Sequence, residues 1–321
     1  MLFRQLEYFV AVARERHFAR AAEACYVSQP ALSAAIARLE RELSVTLINR
    51  GHNFEGLTPE GERLVVWAKR IIAEHDAFKA EAVAMKSGIA GTLRLGTGPT
   101  VSTTAGLPVA AFCSLHPLAK VKVCSRLSTT ELRRQLRDFE LDAAIAHFGP
   151  ADTEGLEITP LYEERYVLLV AGEQLVPDAR TITWARAAQL PLALLTPDMR
   201  FRQFIDGAFR SCGITADPQV ETDSVASLYT HVATGVWASI VPHTWLRAFP
   251  AWLGAVAPTE RPTRAIPLVE PDNKAQISVA IRAGKPASVA ARSFITVAQD
   301  LLLDQIFEAD SVVAEVGAPG R

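Results

Sequence analysis

Tyr26-Val27-Ser28-Gln29-Pro30-Ala31-Leu32-Ser33 decides how the N-terminal part of this chain is read. Ser28 is placed to cap a helix, because its side-chain oxygen can accept from a backbone N–H that the first turn leaves free. Pro30 falls inside that turn, where a missing N–H removes nothing. The helix is expected to run to about Leu43, with Leu32, Ile36 and Leu39 facing inward at helical spacing. Its other face carries Gln29, Ser33, Ala34, Arg38 and Arg41.

Upstream, Leu6, Phe9, Val10 and Ala13 mark one apolar face of a helix over Arg4–Arg14. A second helix is expected over Ala19–Cys25, where Ala21, Ala22 and Cys25 let two helices approach closely. Two helices joined by a tight turn, the second opening on polar residues, suit a helix-turn-helix, whose second helix enters the DNA major groove. An ordinary helical hairpin is the alternative reading of the same pattern. Downstream, Leu47–Leu57 has the makings of a wing, in which Arg50 and His52 could meet phosphates. The candidate DNA-contacting residues are therefore Ser28, Gln29, Pro30, Ala31, Ser33, Ala34, Arg38, Arg50 and His52.

Thr58 and Pro59 open a further helix that should reach Ser87. Along it Leu64, Ile71, Phe78 and Met85 recur every seven residues, and Trp67, Ala68 and Ala82 flank them. A seven-residue apolar repeat favours pairing with another helix over burial in one globular core. Leu64, Trp67, Ile71, Phe78 and Met85 are thus the expected dimerisation seam. The small residues of Ser87-Gly88-Ile89-Ala90-Gly91 end it as a hinge.

From Thr92 onward strand-like and helix-like stretches alternate. Strands are expected at Thr92–Gly96, Val121–Leu127, Ala143–Ala146, Tyr166–Val170, Leu192–Leu195, Ser239–Val241 and Ile277–Ile281. Helices are expected at Val101–Ser114, Glu131–Asp138, Arg202–Cys212, Val225–Thr234 and Ser288–Phe307. That alternation predicts an α/β domain with largely parallel strands. Helix starts after strand ends offer free N–H groups to an anion. By that rule Thr97, Gly98, Pro99, Thr100, Val101 and Ser102 after the first strand are candidates for effector contact. So are Ser128 and Thr129 after the second, and Thr196 and Pro197 before the Arg202 helix. Each hydroxyl there reads equally as a plain helix cap. His147, at a strand end, reads equally as a ligand contact or a structural histidine. Arg200 and Arg202 could pair with an anion or simply be solvated.

Bulk properties set limits. The 321 residues suggest two or three domains, and a 49% hydrophobic content supplies ample core. Residues 1–90 carry 12 Lys and Arg against 11 Asp and Glu, so no basic patch announces nucleic acid. Cys25, Cys113, Cys124 and Cys212 are scattered, with no Cys-x-x-Cys pair, and read as free thiols of a reducing compartment. Neither an export signal nor an apolar run of membrane-spanning length is evident, so a cytoplasmic location without a membrane partner is expected. Gly96-Thr97-Gly98 lacks the third glycine of a dinucleotide fingerprint, because Val101 stands there. Nucleophile-elbow, zincin and phosphate-loop motifs are also missing. An enzyme is not expected, nor a metal or cofactor. A ligand-binding module without a DNA role is the remaining alternative.

Five blocks in this order carry a specific resemblance: Leu6-Glu7-Tyr8-Phe9-Val10-Ala11-Val12-Ala13, Phe18-Ala19-Arg20-Ala21-Ala22, Val27–Ser33, Leu39-Glu40-Arg41-Glu42-Leu43 and Leu57-Thr58-Pro59-Glu60-Gly61. Together they resemble the LysR-type transcriptional regulator family. Ala34 and Ala35 depart from it where polar residues are common, as does the acidic Glu55 in the wing; an alanine can still read a thymine methyl. The resemblance implies a winged helix-turn-helix over 1–58, a dimerising linker helix over 59–90 and an effector-binding domain over 91–308. The effector domain would resemble periplasmic solute-binding proteins. Its first subdomain would hold about 92–162 plus 266–308, its second about 163–265, and 309–321 would be a tail. It also implies promoter DNA with paired half-sites, a small anionic effector, a homodimer or a tetramer built as a dimer of dimers, and RNA polymerase as a further partner. Thr100 and Thr129 match positions that commonly contact effector in the family. Peroxide-sensing members use a cysteine in the stretch corresponding to Leu195–Arg202, where this chain has none, so a small molecule rather than oxidation is the expected trigger.

Overall fold

The computed structural model describes residues 2–50, 54–125, 127–172, 175–177, 179–248, 263–284 and 288–307, with the backbone alone at Arg50, Arg247 and Ala248. Three helices open the chain: α1 (Phe3–Glu15), α2 (Phe18–Ala24) and α3 (Gln29–Leu43). Ser28 caps α3 by accepting from the Ala31 N–H at 3.4 Å. Leu32, Ile36 and Leu39 are fully buried and meet Phe9, Val12, Ala21 and Ala22 in one core. Strands β1 (Ile48–Arg50) and β2 (Phe54–Leu57) pair antiparallel as the wing. Glu40, on α3, fixes the wing's start by accepting from the backbone N–H groups of Leu47 (2.9 Å) and Ile48 (3.2 Å). The expected wing contact His52 lies outside the described residues, as does the 309–321 tail.

Helix α4 (Pro59–Ser87) follows. Thr58 caps it, accepting from Gly61 N–H at 2.9 Å and donating to Thr46 O at 2.6 Å. Position 61 must be glycine, because a Cβ there would overlap the Leu47 carbonyl. Val65 and Ala68 face inward and join the head's core. Trp67, Ile71, Phe78 and Met85 are all exposed, Phe78 at 73% and Met85 at 79%. Leu64, which begins the seven-residue series, is half-buried against the head.

The rest of the chain forms two lobes on one sheet. Its elements are β3 (Gly91–Thr97), α5 (Gly106–Leu115), β4 (Ala119–Cys124), α6 (Thr129–Arg137), β5 (Ala143–His147), β6 (Leu156–Ala171), β7 (Ile182–Thr183) and α7 (Trp184–Ala187). They continue with β8 (Ala193–Leu195), α8 (Arg200–Ser211), β9 (Val220–Thr222), α9 (Val225–Ala233), β10 (Ser239–Pro242), α10 (Trp245–Ala248), β11 (Thr263–Val269), β12 (Lys274–Arg282) and α11 (Val289–Asp300). The strand order is β4-β3-β5-β12-β6-β11-β7, with β10 also on β6 and β8 paired separately with β9.

Parallel pairing holds for β3 with β4 and β5, for β8 with β9, and for β11 with β7. The rest is antiparallel, so the sheet is mixed rather than largely parallel. The reason is β6. It runs out of the first lobe and into the second, and the chain must return through β12, which pairs with it head to tail from Lys274↔Arg165 to Arg282↔Leu156. Only its apolar end, Tyr166–Val170, was legible as a strand. Pro160 and the acids Glu157, Glu163 and Glu164 hide the other half.

Each lobe has its own core. Leu93, Leu95, Phe112, Ile145, Val279 and Phe294 centre the first. Leu168, Trp184, Leu194, Phe209, Ile240 and Trp245 centre the second. Ile266, Leu268 and Ala275 also pack in the second core. The return crossover therefore lies at about 270–276, not at 266, because β11 pairs with the second-lobe half of β6.

Candidate nucleic-acid interface and effector cleft

Gln29, Pro30, Ala31, Ala34 and Arg38 are exposed on the outer face of α3, with Ser28 exposed at its start and Ser33 half-exposed. Arg38 Nε donates to Glu42 Oε1 at 3.0 Å, so in the free protein its charge is held along the helix. Tyr26, in a left-handed turn just ahead of Ser28 (φ 55°), is 96% exposed. That residue escaped the sequence reading, since nothing in the pattern marks an aromatic as turned outward.

The lobes enclose a cavity of about 220 Å³. Gly98, Pro99, Thr100 and Val101 line it from the β3 end, Ser128 and Thr129 from the start of α6, and His147 from the end of β5. The topology explains the gathering: β3, β4 and β5 are parallel neighbours, so their C-terminal ends open on one edge. Ser128 caps α6, accepting from Glu131 N–H at 3.2 Å, and so satisfies one of the first N–H groups that the helix itself leaves without intrahelical partners. His147 Nδ1 lies 3.2 Å from Gln276 O.

Four expected residues stand off the cavity. Thr97 is fully buried, with its hydroxyl 3.2 Å from that of Ser125. Ser102 donates to Pro99 O at 2.7 Å. Thr196 has a buried hydroxyl with no partner among the described residues, and the Pro197 carbonyl accepts from Gln203 Nε2 at 3.3 Å. The second lobe instead reaches the cavity one turn later, with Asp198, Met199, Arg200, Phe201 and Phe204. Of the two candidate arginines only Arg200 lines it. Arg202 is 5% exposed and ties α8 to β8 and β9 through Leu195 O (2.7 Å), Glu221 Oε1 (2.7 Å) and Asp206 Oδ1 (2.8 Å).

Glu164 and Tyr166, on the crossover strand, form the cavity's inner wall. Glu164 is 2% exposed and accepts from Thr244 Oγ1 at 3.1 Å. Burial pushes its carboxyl up to about 7, offset only in part by that hydroxyl. Tyr166 is pushed up by burial and by the neighbouring Glu164 carboxylate. Next to Thr244, Trp245 Nε1 donates to Thr100 O at 3.0 Å and so pins one lobe to the other beside the cavity. Sequence carried a faint signal for Glu164: Tyr162, Glu164 and Tyr166 alternate, which puts an acid on the face shared by two aromatics.

A capped, outward-facing second helix with a hairpin wing, joined by a long helix to a two-lobed domain with a cleft, defines a DNA-binding regulator that senses a ligand. The chain belongs to the LysR family of bacterial regulators. Residues 3–62 match the family model described as "Bacterial regulatory helix-turn-helix protein, lysR family", and residues 86–302 match "LysR substrate binding domain". A relative from Mycobacterium avium, described as "Probable hydrogen peroxide-inducible genes activator", is 32% identical over 74% of this chain and 77% of its own. The Escherichia coli "DNA-binding transcriptional dual regulator OxyR" is 28% identical over 89% of this chain and 91% of its own. Among solved structures, a full-length OxyR variant from Pseudomonas aeruginosa covers 94% of both chains with a TM-score of 0.72 at 26% identity. CbnR bound to its target DNA covers 93% of this chain and 100% of its own, with a TM-score of 0.60 at 24% identity. The protein is thus a LysR-type transcription regulator.

Proposed function

We propose that α3 enters the major groove with Gln29, Ser33 and Ala34 at base edges and Arg38 on phosphate, while an effector held between the lobes sets how two such heads are spaced. The observation that carries the reading is the bare N-terminal end of α3. Its side chains are exposed, yet its helix is capped and fixed by the core beneath. Ser28, Pro30 and Ala31 shape that end, and Arg50 and His52 in the wing would meet flanking phosphates. The promoter carries paired half-sites, because the α4 seam pairs two chains, and two dimers make a tetramer. RNA polymerase is the downstream partner, and the protein works in the cytoplasm. Among the described residues no helix is long and apolar enough to cross a membrane.

Arg38→Ala tests the DNA reading. A phosphate-positioning arginine removed from each head should weaken binding to all duplexes alike and lower the salt slope by about one unit. A changed base preference at unchanged salt slope would instead place Arg38 on a base.

The relatives named for peroxide induction favour a second reading, in which a thiol is the trigger. The residues here weigh against it. The start of α8 carries Met199 and Arg200, and the cysteine of that helix, Cys212, sits at its far end, Sγ 3.9 Å from Glu270 O. The effector is therefore a small polar molecule, with Thr100 and Thr129 as hydroxyl contacts and an anionic group at the α6 start.

A further inference from the structure

Arg200 and Glu164 both line the effector cavity without meeting each other, and Asp198 and Asp223 line it too. Arg200, at the rim, makes no ion pair among the described residues. Among the described residues, the Glu164 side chain at the wall has no cation within 4.0 Å, and its one hydrogen bond is from Thr244. An exposed arginine without a partner is unremarkable, but a buried carboxyl without a cation is costly to ionise, so it keeps its proton until a cation reaches it from outside the fold. Thr244 satisfies one oxygen and supplies no charge. A metal ion is a poor partner, since no group of acids, histidines or cysteines among the described residues converges as a metal site. A dianion is a poor ligand, because its second acid would face Glu164.

We propose that the cleft takes a small zwitterion, an amino acid or similar compound, whose ammonium group pairs with Glu164 while its carboxylate lies at the α6 start and Arg200. Glu164 is then the residue that selects an amine over a hydroxyl. The inference rests on the cleft being the effector site, and it goes beyond that reading by naming the ligand's chemistry and the residue that reads it. The crossover strand gives the pairing a consequence. Glu164 lies where β6 passes between lobes, and its partner Thr244 belongs to the second lobe, next to the Trp245 that holds Thr100 of the first. An ammonium on Glu164 would draw on both lobes at once and favour one angle between them.

The test uses the full-length protein and matched pairs that differ only in amine or hydroxyl: alanine and lactate, serine and glycerate, aspartate and malate. Calorimetry and thermal melting at millimolar ligand should find an amine-bearing binder whose hydroxyl partner binds at least about tenfold more weakly. Glu164→Gln keeps the shape and loses the charge. It should cost the amine-bearing ligand a similar factor and leave its partner's weak binding unchanged, whereas Thr129→Val and Arg200→Gln should weaken both.

A proton readout separates recognition from mere packing. Near pH 7, pairing with an ammonium should expel a proton from Glu164, seen as a heat that depends on the buffer's ionisation enthalpy. Tyr162 and Tyr166 on the same strand, and His147, Asp198, Arg200 and Asp223 around the cavity, also carry titratable groups, so the release is assigned by its loss in Glu164→Gln. If hydroxyl partners bind as well as amines, if Glu164→Gln binds the amine as wild type does, or if no amine-bearing member binds, the inference is overturned. Binding that falls in Thr129→Val and Arg200→Gln but not in Glu164→Gln removes the role of Glu164 and keeps the cleft. Binding that none of the three alters removes both.

Discussion

Glu164 should leave a mark on stability with no ligand present. Its carboxyl sits near 7 in the fold, above the ordinary value of 4.5, because burial disfavours the charged form. A folded-state pKa raised in this way means that the folded protein holds the proton more tightly. Its contribution is fully present below about pH 4.5 and is lost as the pH rises through 7. Wild type should therefore lose stability relative to Glu164→Gln across that window, by up to about 3 kcal/mol at alkaline pH. Chemical denaturation of both proteins at several pH values measures it. Parallel pH profiles would mean that the carboxyl is solvated or paired in the fold. Arg202 makes the opposite point at the same scale. It too is a buried charge, but three acceptors surround it and it joins strands, so its place near the cleft follows from packing and not from ligand chemistry.

Among the elements, α4 carries the clearest unsatisfied surface. Its inward residues Val65 and Ala68 are buried in the head, while the seven-residue series continues outward through Ile71, Phe78 and Met85. A second α4 laid along that seam would bury it. Phe78→Asp would set an unpaired carboxylate in each chain against its mate and should cost the dimer several kcal/mol. Sedimentation should show monomer, with loss of binding to paired half-sites. A variant that stays dimeric would move the interface to the sensing domains. Both α3 and α4 were readable beforehand because their signals are local: a cap, a proline in the first turn, a fixed apolar period. The strands that join the lobes were not. β11 is interrupted by Arg264 and Pro267, and half of β6 alternates acids with aromatics, so neither looks like a buried strand until its neighbours are known. The cavity shows the same division. Residues next to strand ends, Gly98–Val101, Ser128, Thr129 and His147, could be found from topology. Glu164, Tyr166 and Phe204 reach it only through the way the second lobe folds back.

Across the whole molecule, one line of contacts runs from the cleft to the head. Helix α6 begins at the cavity with Thr129, and just past its other end lie Asp138 and Glu140. There Lys69 of α4 reaches both acids, Nζ 3.4 Å from Asp138 Oδ2 and 3.1 Å from Glu140 Oε1. The lysine is 20% exposed, so solvent screens these pairs less than it screens an open surface pair. One residue before it, Ala68 packs into the core beneath α3. If ligand binding shifts α6, these ion pairs would pass the shift to α4 close to the head, and coupling between two bound ligands must work in both directions. DNA binding should then slow amide exchange at the α6 start in the wild-type protein. Lys69→Met should abolish that remote effect while DNA still protects the head. The variant should fold, because Arg134 keeps Asp138 and Glu140 paired at 2.8 and 2.9 Å. Couplings of this kind amount to about 1–3 kcal/mol, which is about a 5- to 150-fold change in opening and well within reach of exchange measured by mass spectrometry. If DNA slows exchange at the α6 start equally in both proteins, the signal travels by another route, and Lys69 serves only to dock the linker helix on the first lobe.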